Sequence, residues 1–393
     1  MKIMDCTLRD GANVVGNGFS AELTELMLRG LTENHYPIIE FGNAKGIGAD
    51  KKGFPAPLTD EESLQLAQPF LDRAEIGMFL NAKRYEPENV ELAAQYGLAF
   101  LRCGSDAGDA HLYTDQLRDI KDHGIKAYFS QMKAYILPPE KLAEEARLLE
   151  DAGIDEITPM DPADCMFPEE VSAAVEAMKK AVKVPIGFHC HANMGMCAAN
   201  AMAAWRSGAD ILDCGLLGMA RSAGNMPTEL ATALMQKQGQ CSELDLYGLL
   251  HYLDRELIPA MEQNGYPTML KPKDLILGYS GCRSAFVKTF TAVAKDTGVD
   301  LYRLIVETSA LDRKDPDEAL MRQVAASLKW SKDRDMPAAC HGLFLLLLAV
   351  PSWYDGKKKS LTDGTPAPAR WRSPRSAGNT PRSPAGLIYQ VVH

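Results

Sequence analysis

Two histidines separated by one residue, His189 and His191, end the apolar run Val184-Pro185-Ile186-Gly187-Phe188. On a β-strand, residues i and i+2 point to the same face, about 6–7 Å apart. Both imidazoles can therefore converge on one divalent ion, for which neutral imidazole is a suitable ligand. A bare His-x-His is as readily a pair of hydrogen-bonded core histidines, so other residues must decide. Asp5-Cys6-Thr7-Leu8-Arg9-Asp10-Gly11 closes the first strand-like segment on an Arg–Asp pair. Ile38-Ile39-Glu40-Phe41-Gly42 places one carboxylate in an otherwise apolar segment. A carboxylate and two imidazoles, with water in the open positions, make a catalytic divalent site rather than a closed structural one. Taken singly, Arg9–Asp10 would be a surface ion pair worth little, and Glu40 a loop anchor.

The elements that must position these groups alternate. Strand-like segments fall at Ile3–Thr7, Pro37–Phe41, Glu75–Leu80, Ala99–Arg102, Lys126–Gln131, Glu156–Met160, Ile186–Cys190 and Ile211–Cys214. Helical patterns lie between them, such as Ala21–Glu33 with Ser20 as N-cap, Asp60–Leu71, Pro138–Ala152 and Pro168–Ala181. Eight such units predict a parallel sheet closed into a (β/α)8 TIM barrel over residues 1–240, with active-site groups at the C-terminal strand ends. An open doubly wound sheet is the alternative, but the first strand is not followed by a glycine-rich nucleotide turn. Residues 241–335 read as helices only (Leu244–Asn264, Lys273–Asp296, Asp300–Glu307, Asp315–Leu328) and predict an appended C-terminal helical domain. The remainder, 336–393, is a basic tail expected to be disordered: residues 357–393 hold seven Lys/Arg against one Asp and five prolines. Such a tail could bind an acidic partner or reflect a frame change near the end of the gene.

Composition narrows the class. The 393 residues are 46% hydrophobic and 24% charged, ordinary values for a soluble protein. A net charge of -10 argues against a nucleic-acid partner. Nine cysteines without a Cys-x-x-Cys pair read as reduced thiols, which together with a short longest apolar run (Leu343–Val350) predicts a cytoplasmic protein with no membrane contact. Cys190 should pack on the face opposite the histidines, and Cys6 should be buried. His35, His111, His123, His251 and His341 show no partner pattern and read as surface or structural.

In combination, Thr7-Leu8-Arg9-Asp10-Gly11, Ile39-Glu40-Phe41-Gly42, His189-Cys190-His191-Ala192-Asn193 and Ala223-Gly224-Asn225-Met226-Pro227-Thr228-Glu229 resemble the DRE-TIM metallolyase (HMGL-like) superfamily over roughly residues 1–330. Gly278-Tyr279-Ser280-Gly281 and the helices after it are most similar to its 4-hydroxy-2-oxovalerate aldolase branch. The resemblance implies a divalent-metal-dependent carbon–carbon lyase acting on a small 2-oxo acid through an enolate. It implies Asp10, His189 and His191 as metal ligands, with Asn225 as a fourth. Arg9 would stabilise the enolate oxygen, and Glu40 would orient Arg9 or a water. Asn13, Tyr279 and Arg283 would line the substrate. The donor set suits Mn2+ or Mg2+, with Co2+ or Zn2+ as alternatives. The resemblance further implies a homo-oligomer and an aldehyde dehydrogenase that docks on the helical segment.

Departures from the aldolase pattern bear on the exact reaction. Asn13 stands where the aldolase has a proton-shuttling His, and Arg283 where it has a Tyr. Pro162 follows Asp161 in place of a Ser, and no Cys of the acyl-CoA lyase branch occurs among Leu217–Ala223. The missing acid–base groups and the added cation of Arg283 predict enolisation of pyruvate with poor cleavage of 4-hydroxy-2-oxovalerate, and a more acidic or larger substrate. Two other readings stand beside this one: a Claisen-type acyl transferase or acyl-CoA lyase, and a metal-binding barrel that has lost catalysis.

Overall fold

Eight strands close into a parallel barrel in the computed structural model, which describes residues 1–266, 272–280, 282, 286–312 and 315–332. β1 (Lys2–Asp5), β2 (Ile38–Phe41), β3 (Glu75–Asn81), β4 (Phe100–Asp106), β5 (Lys126–Met132), β6 (Glu156–Asp161), β7 (Gly187–Cys190) and β8 (Ile211–Cys214) pair in chain order. β1 then pairs with β8, Lys2 to Ile211 through Asp5 to Cys214, which rules out the open sheet. Helices alternate with the strands: α1 (Ala21–Glu33), α2 (Asp60–Ala67), α3 (Pro87–Gln95), α4 (Thr114–Asp122), α5 (Pro139–Asp151), α6 (Pro168–Ala181), α7 (Cys197–Arg206) and α8 (Thr228–Lys237). Their ends follow local chemistry. The Ser20 hydroxyl accepts from the Leu23 amide at 3.3 Å, and Thr59 and Glu62 form a reciprocal capping box. α6 opens on Pro168 with Glu169 and Glu170 and closes on Lys179 and Lys180, matching the helix dipole.

Beyond residue 240 the described chain is helical: α9 (Leu246–Tyr252), α10 (Ile258–Gln263), α11 (Pro272–Ser280), α12 (Val287–Thr297), α13 (Leu301–Leu311) and α14 (Glu318–Lys332). The helix expected over 244–264 is interrupted by a π-turn, Leu253–Leu257, just before Pro259, which has no N–H to donate. The helix expected over 273–296 is described as two helices, α11 and α12, with Cys282 between them outside any helix. α9 seats on α1, where Gly30 leaves room for the Tyr252 ring, and the Tyr252 hydroxyl donates to the Leu26 carbonyl at 3.1 Å. The described residues all belong to one compact unit. None of their helices is long and apolar enough to cross a membrane. Arg283, His341 and the tail 336–393 lie outside the described residues.

Strand alternation fills the barrel in layers. Toward the N-terminal strand ends Met4, Ile38, Phe100, Tyr128 and Ile211 form an apolar plug, with Phe100 and Tyr128 stacked at 4.6 Å. Two residues further along the same strands stand Cys6, Glu40, Arg102 and Asp213, all fully or almost fully buried. Gly187 of β7 faces this interior too: a side chain there would collide with Thr158 and Glu156 of β6.

Candidate active site

Arg9 and Asp10 sit in a helical turn immediately after β1, with both amides donating to the Cys6 carbonyl at 3.1 and 2.7 Å. The turn aims Asp10 across the barrel mouth toward β7. Asp10 Oδ2 lies 3.6 Å from His189 Nε2 and 3.5 Å from His191 Nε2. Asn225 reaches the same oxygen, its Nδ2 donating at 3.0 Å. The β8–α8 loop delivers Asn225 by pairing against β7's exit, with Ala192 N donating to Gly224 O at 2.8 Å. Gly224 holds φ +95°, and a Cβ there would strike the Gly218 carbonyl.

A second set of residues fixes these groups from below. Arg102 is wholly buried and binds Glu40 through Nε (2.7 Å) and Nη2 (2.8 Å) and Asp213 through Nη1 (2.6 Å). Glu40 also accepts from Arg9 Nε at 2.5 Å, so the guanidinium of Arg9 is oriented by Glu40. Arg9 Nη1 meets Asp10 Oδ1 at 3.1 Å, and the Phe79 ring lies 5.1 Å from its Cζ. Asp213 Oδ2 stands 3.1 Å from His189 Nδ1. A carboxylate can only accept, so Nδ1 carries the proton and Nε2 presents its lone pair to Asp10's side.

Charge states follow. Burial opposes ionisation of Asp10, Glu40 and Asp213, but the Arg9 and Arg102 guanidiniums and the neighbouring imidazoles outweigh it and hold all three carboxyls below the usual range. Burial keeps His189 neutral by lowering its pKa, against the pull of Asp213. Two guanidiniums against three carboxylates leave the cluster one negative charge, favourable to a cation.

The residues fit a divalent metal. Asp10, His189 and His191 offer donor atoms that all lie within 4.8 Å of one another. His191 Nδ1 and Nε2 and Asn225 Oδ1 are buried without a partner, and so is Arg9 Nη2. Orphaned buried polar atoms are costly and rare, so their concentration at one point marks a site completed by a ligand. Cys6, His189 and Asp213 also lie close together, but Arg102 Nη2 is 3.3 Å from the Cys6 sulfur and Nη1 already occupies Asp213. That trio is filled by a guanidinium.

The structure thus brings Arg9, Asp10, Glu40, His189, His191 and Asn225 together. Asn13 joins them at the rim, donating through Nδ2 to Asp10 Oδ1 at 3.1 Å. Tyr279, expected to line the substrate, makes its described contacts on α8. It packs on α8's last residue, with its carbonyl accepting from Lys237 Nζ and its ring 5.0 Å from that ammonium. α8 begins beside the site, where the Thr228 hydroxyl meets Asp5, and ends about 14 Å away by helical rise. Asp161 anchors its loop through the Ala163 and Met166 amides. Cys190 is core, and His251 pairs with Asp300. Sequence reasoning missed Arg102 and Asp213. Asp213 is a charged residue alone in an apolar strand, the signal that identified Glu40, while Arg102 interrupts the apolar start of β4, which ends on Asp106.

The model of the HMGL-like family matches residues 1–254. A 4-hydroxy-2-oxovalerate aldolase from Carboxydothermus hydrogenoformans is 30% identical over 84% of this chain and 97% of that protein. One from Moorella thermoacetica is 32% identical over 78% of this chain and 90% of its own length. Among solved structures, the HMG-CoA lyase of Bacillus subtilis superposes with a TM-score of 0.55 at 19% identity, covering 68% of this chain and 95% of that one. The carboxyl transferase domain of Rhizobium etli pyruvate carboxylase gives 0.56 at 16% identity, covering 86% and 63%. At such identities the structural likeness concerns the fold.

Proposed function

This chain belongs to the HMGL-like family, and from that premise we propose that it is a divalent-metal-dependent carbon–carbon lyase acting on a 4-hydroxy-2-oxo acid, in the manner of its aldolase relatives. The observation that carries the reading is Arg9. Its guanidinium is fixed by Glu40, Asp10 and Phe79, while Nη2 is buried, unpartnered and beside the His189–His191–Asp10 cluster. A divalent ion held by Asp10, His189, His191 and Asn225, Mn2+ or Mg2+ before Co2+ or Zn2+, supplies Lewis-acid polarisation of the substrate's 2-oxo group.

The chain's own residues supply the rest. Cleavage breaks the bond between C3 and C4: the 4-hydroxyl gives its proton to water and C4 leaves as a carbonyl compound, while the electron pair of the broken bond passes to the 2-oxo oxygen as an enolate. Arg9 Nη2 donates to that oxygen and takes up charge that exists only as the bond breaks, which is how preorganised donors lower a barrier. Protonation of the enolate at C3 then releases the 2-oxo acid. Asn13 cannot take the alcohol proton, so this reading keeps enolisation and expects weak cleavage of 4-hydroxy-2-oxovalerate. A helical unit over 241–335 beside a catalytic barrel over 1–240 and a cytoplasmic location belong to the same proposal and rest on sequence pattern and composition, while a homo-oligomer and an aldehyde dehydrogenase partner rest on family likeness.

The test is exchange of the methyl protons of pyruvate into deuterated water, followed by NMR. Exchange that requires Mn2+ or Mg2+ and disappears in Arg9→Met supports the reading. No exchange with any divalent ion would leave a metal-binding barrel without enolate chemistry.

A further inference from the structure

Asn13 does not point an idle amide at the mouth. Its Oδ1 accepts from Lys45 Nζ at 2.5 Å, while its Nδ2 holds Asp10. Lys45 lies in the loop after β2 and is held in place by its surroundings. The Asn43 side chain accepts from the Lys45 amide at 2.9 Å and donates to the Phe54 carbonyl at 2.8 Å. Gly42 and Gly46 flank the turn at φ +100° and +97°, and a Cβ on Gly46 would meet the Phe79 carbonyl at 2.8 Å. Arg84, in the turn after β3, donates through Nη1 to the Lys45 carbonyl at 2.6 Å and lies over the Phe54 ring at 4.7 Å.

Arg221, exposed in the β8–α8 loop, lies within reach of Lys45's charge. Burial, then the Arg221 and Arg84 charges, hold the Lys45 ammonium below the usual lysine range. Among the described residues no carboxylate pairs with Lys45, Arg84 or Arg221, although ion pairs are frequent elsewhere on the surface. The three cations stand on loops after β2, β3 and β8, at the end of the barrel that carries Arg9 and Asp10. Asp10 offsets part of the Lys45 charge but is itself engaged by Arg9, Asn13 and Asn225. Like charges gathered in excess are unfavourable, and an anion placed among them removes that cost.

We propose that Lys45, with Arg84 and Arg221, forms a subsite for an anionic group at the far end of the substrate, so that the enzyme takes 2-oxo acids carrying a second negative charge. This rests on the proposed lyase reading, whose metal and Arg9 would hold the 2-oxo end. Asn13 then acts as the strut that sets Lys45 relative to Asp10. A distal carboxylate and a phosphate ester share the required chemistry, and the experiment separates them.

The full-length protein loaded with Mn2+ is titrated by calorimetry with 2-oxo acids of matched length ending in a methyl, a carboxylate or a phosphate ester. Charge-assisted hydrogen bonds predict at least about tenfold tighter binding of an anionic end. That ratio should fall about tenfold in Lys45→Met and severalfold in Arg221→Gln. The tighter of the two anions identifies the group. Equal binding of all three acids by the wild type overturns the proposal, as does a ratio unmoved by both substitutions. Pyruvate methyl exchange is measured on the same preparations: exchange without an anionic preference sinks this subsite alone, whereas no exchange sinks the lyase reading beneath it.

Discussion

The two ends of the barrel interior are built from the same strands, two residues apart, and do opposite work. Met4, Ile38, Phe100 and Ile211 plug the N-terminal end, while Cys6, Glu40, Arg102 and Asp213 stand above them toward the C-terminal end. Each strand steps from apolar to polar over one period of side-chain alternation. The lower layer stabilises by removing carbon from water, independently of direction. In the upper layer, charges are buried only because each has a fixed partner, and the fixed geometry is what a catalytic site needs. Stability and chemistry are thus separated along the barrel axis, and substitutions in the two layers should fail differently.

The largest effect should come from His189→Ala. It removes a metal donor at the top of the upper layer, and metal content and pyruvate exchange should vanish together, measured by plasma emission spectroscopy and NMR. Full exchange in metal-free protein would detach the cluster from the chemistry. Next is Arg102→Met, which strands Glu40 and Asp213 as unpaired buried carboxylates and should cost about 3–5 kcal/mol. Phe100→Ala, one layer down, should cost a similar ~3–5 kcal/mol by leaving a cavity. Only the first should also lower metal affinity. Equal loss of metal affinity in both would mean that the layers are not separable.

Much of this division was readable in the sequence, and the unreadable part has a physical cause. The strand-and-helix alternation and the His189–His191 spacing are local patterns, so barrel, ligand pair and Arg9–Asp10 turn were within reach. Glu40 was found because one carboxylate interrupts an apolar strand. Asp213 carries the same mark and Arg102 interrupts the start of β4, but they meet His189 and Glu40 only once separate strands are assembled, at separations of 24 and 62 residues. No local pattern encodes such pairing. Lys45 was hidden for the same reason, because nothing in a glycine-rich loop says that its ammonium returns to Asn13. The packing of α11, which carries Tyr279, on α8 likewise depends on tertiary contacts that no local pattern encodes.

A smaller effect is expected from Asp213→Asn, which keeps the shape of the upper layer but weakens the partner of His189 Nδ1. Supporting residues of this kind typically tune metal affinity by about 10–100-fold. Titration of the apoprotein with Mn2+ should show a loss in that range while Phe100→Ala shows none. An unchanged dissociation constant would mean that His189 is oriented by packing alone.

The smallest effect tests the exception to the comparison, a carboxylate in the lower layer. Glu156 opens β6 beside Tyr128 and Gly187, with Oε2 buried and unpartnered. Burial without a sufficient counter-charge pushes its pKa up to about 8, whereas the paired carboxylates above it are shifted down. The signs of their contributions to stability are therefore opposite. Asp10, Glu40 and Asp213 stabilise the fold above the unfolded carboxyl value of ~4 and lose that contribution as pH falls through their lower folded values. For Glu156 the contribution is fully present below ~4.3 and is lost as pH rises through about 8, because the folded state must then bury an unpaired charge. Glu229, near 7, and Asp5, near 6, act in the same direction. Glu156→Gln should accordingly flatten the decline of the denaturant midpoint between pH 5 and 9, with its advantage over wild type growing toward the alkaline end. A parallel decline in both proteins would show that Glu156 is ionised in the folded state throughout, and that the lower layer contains a counter-charge after all.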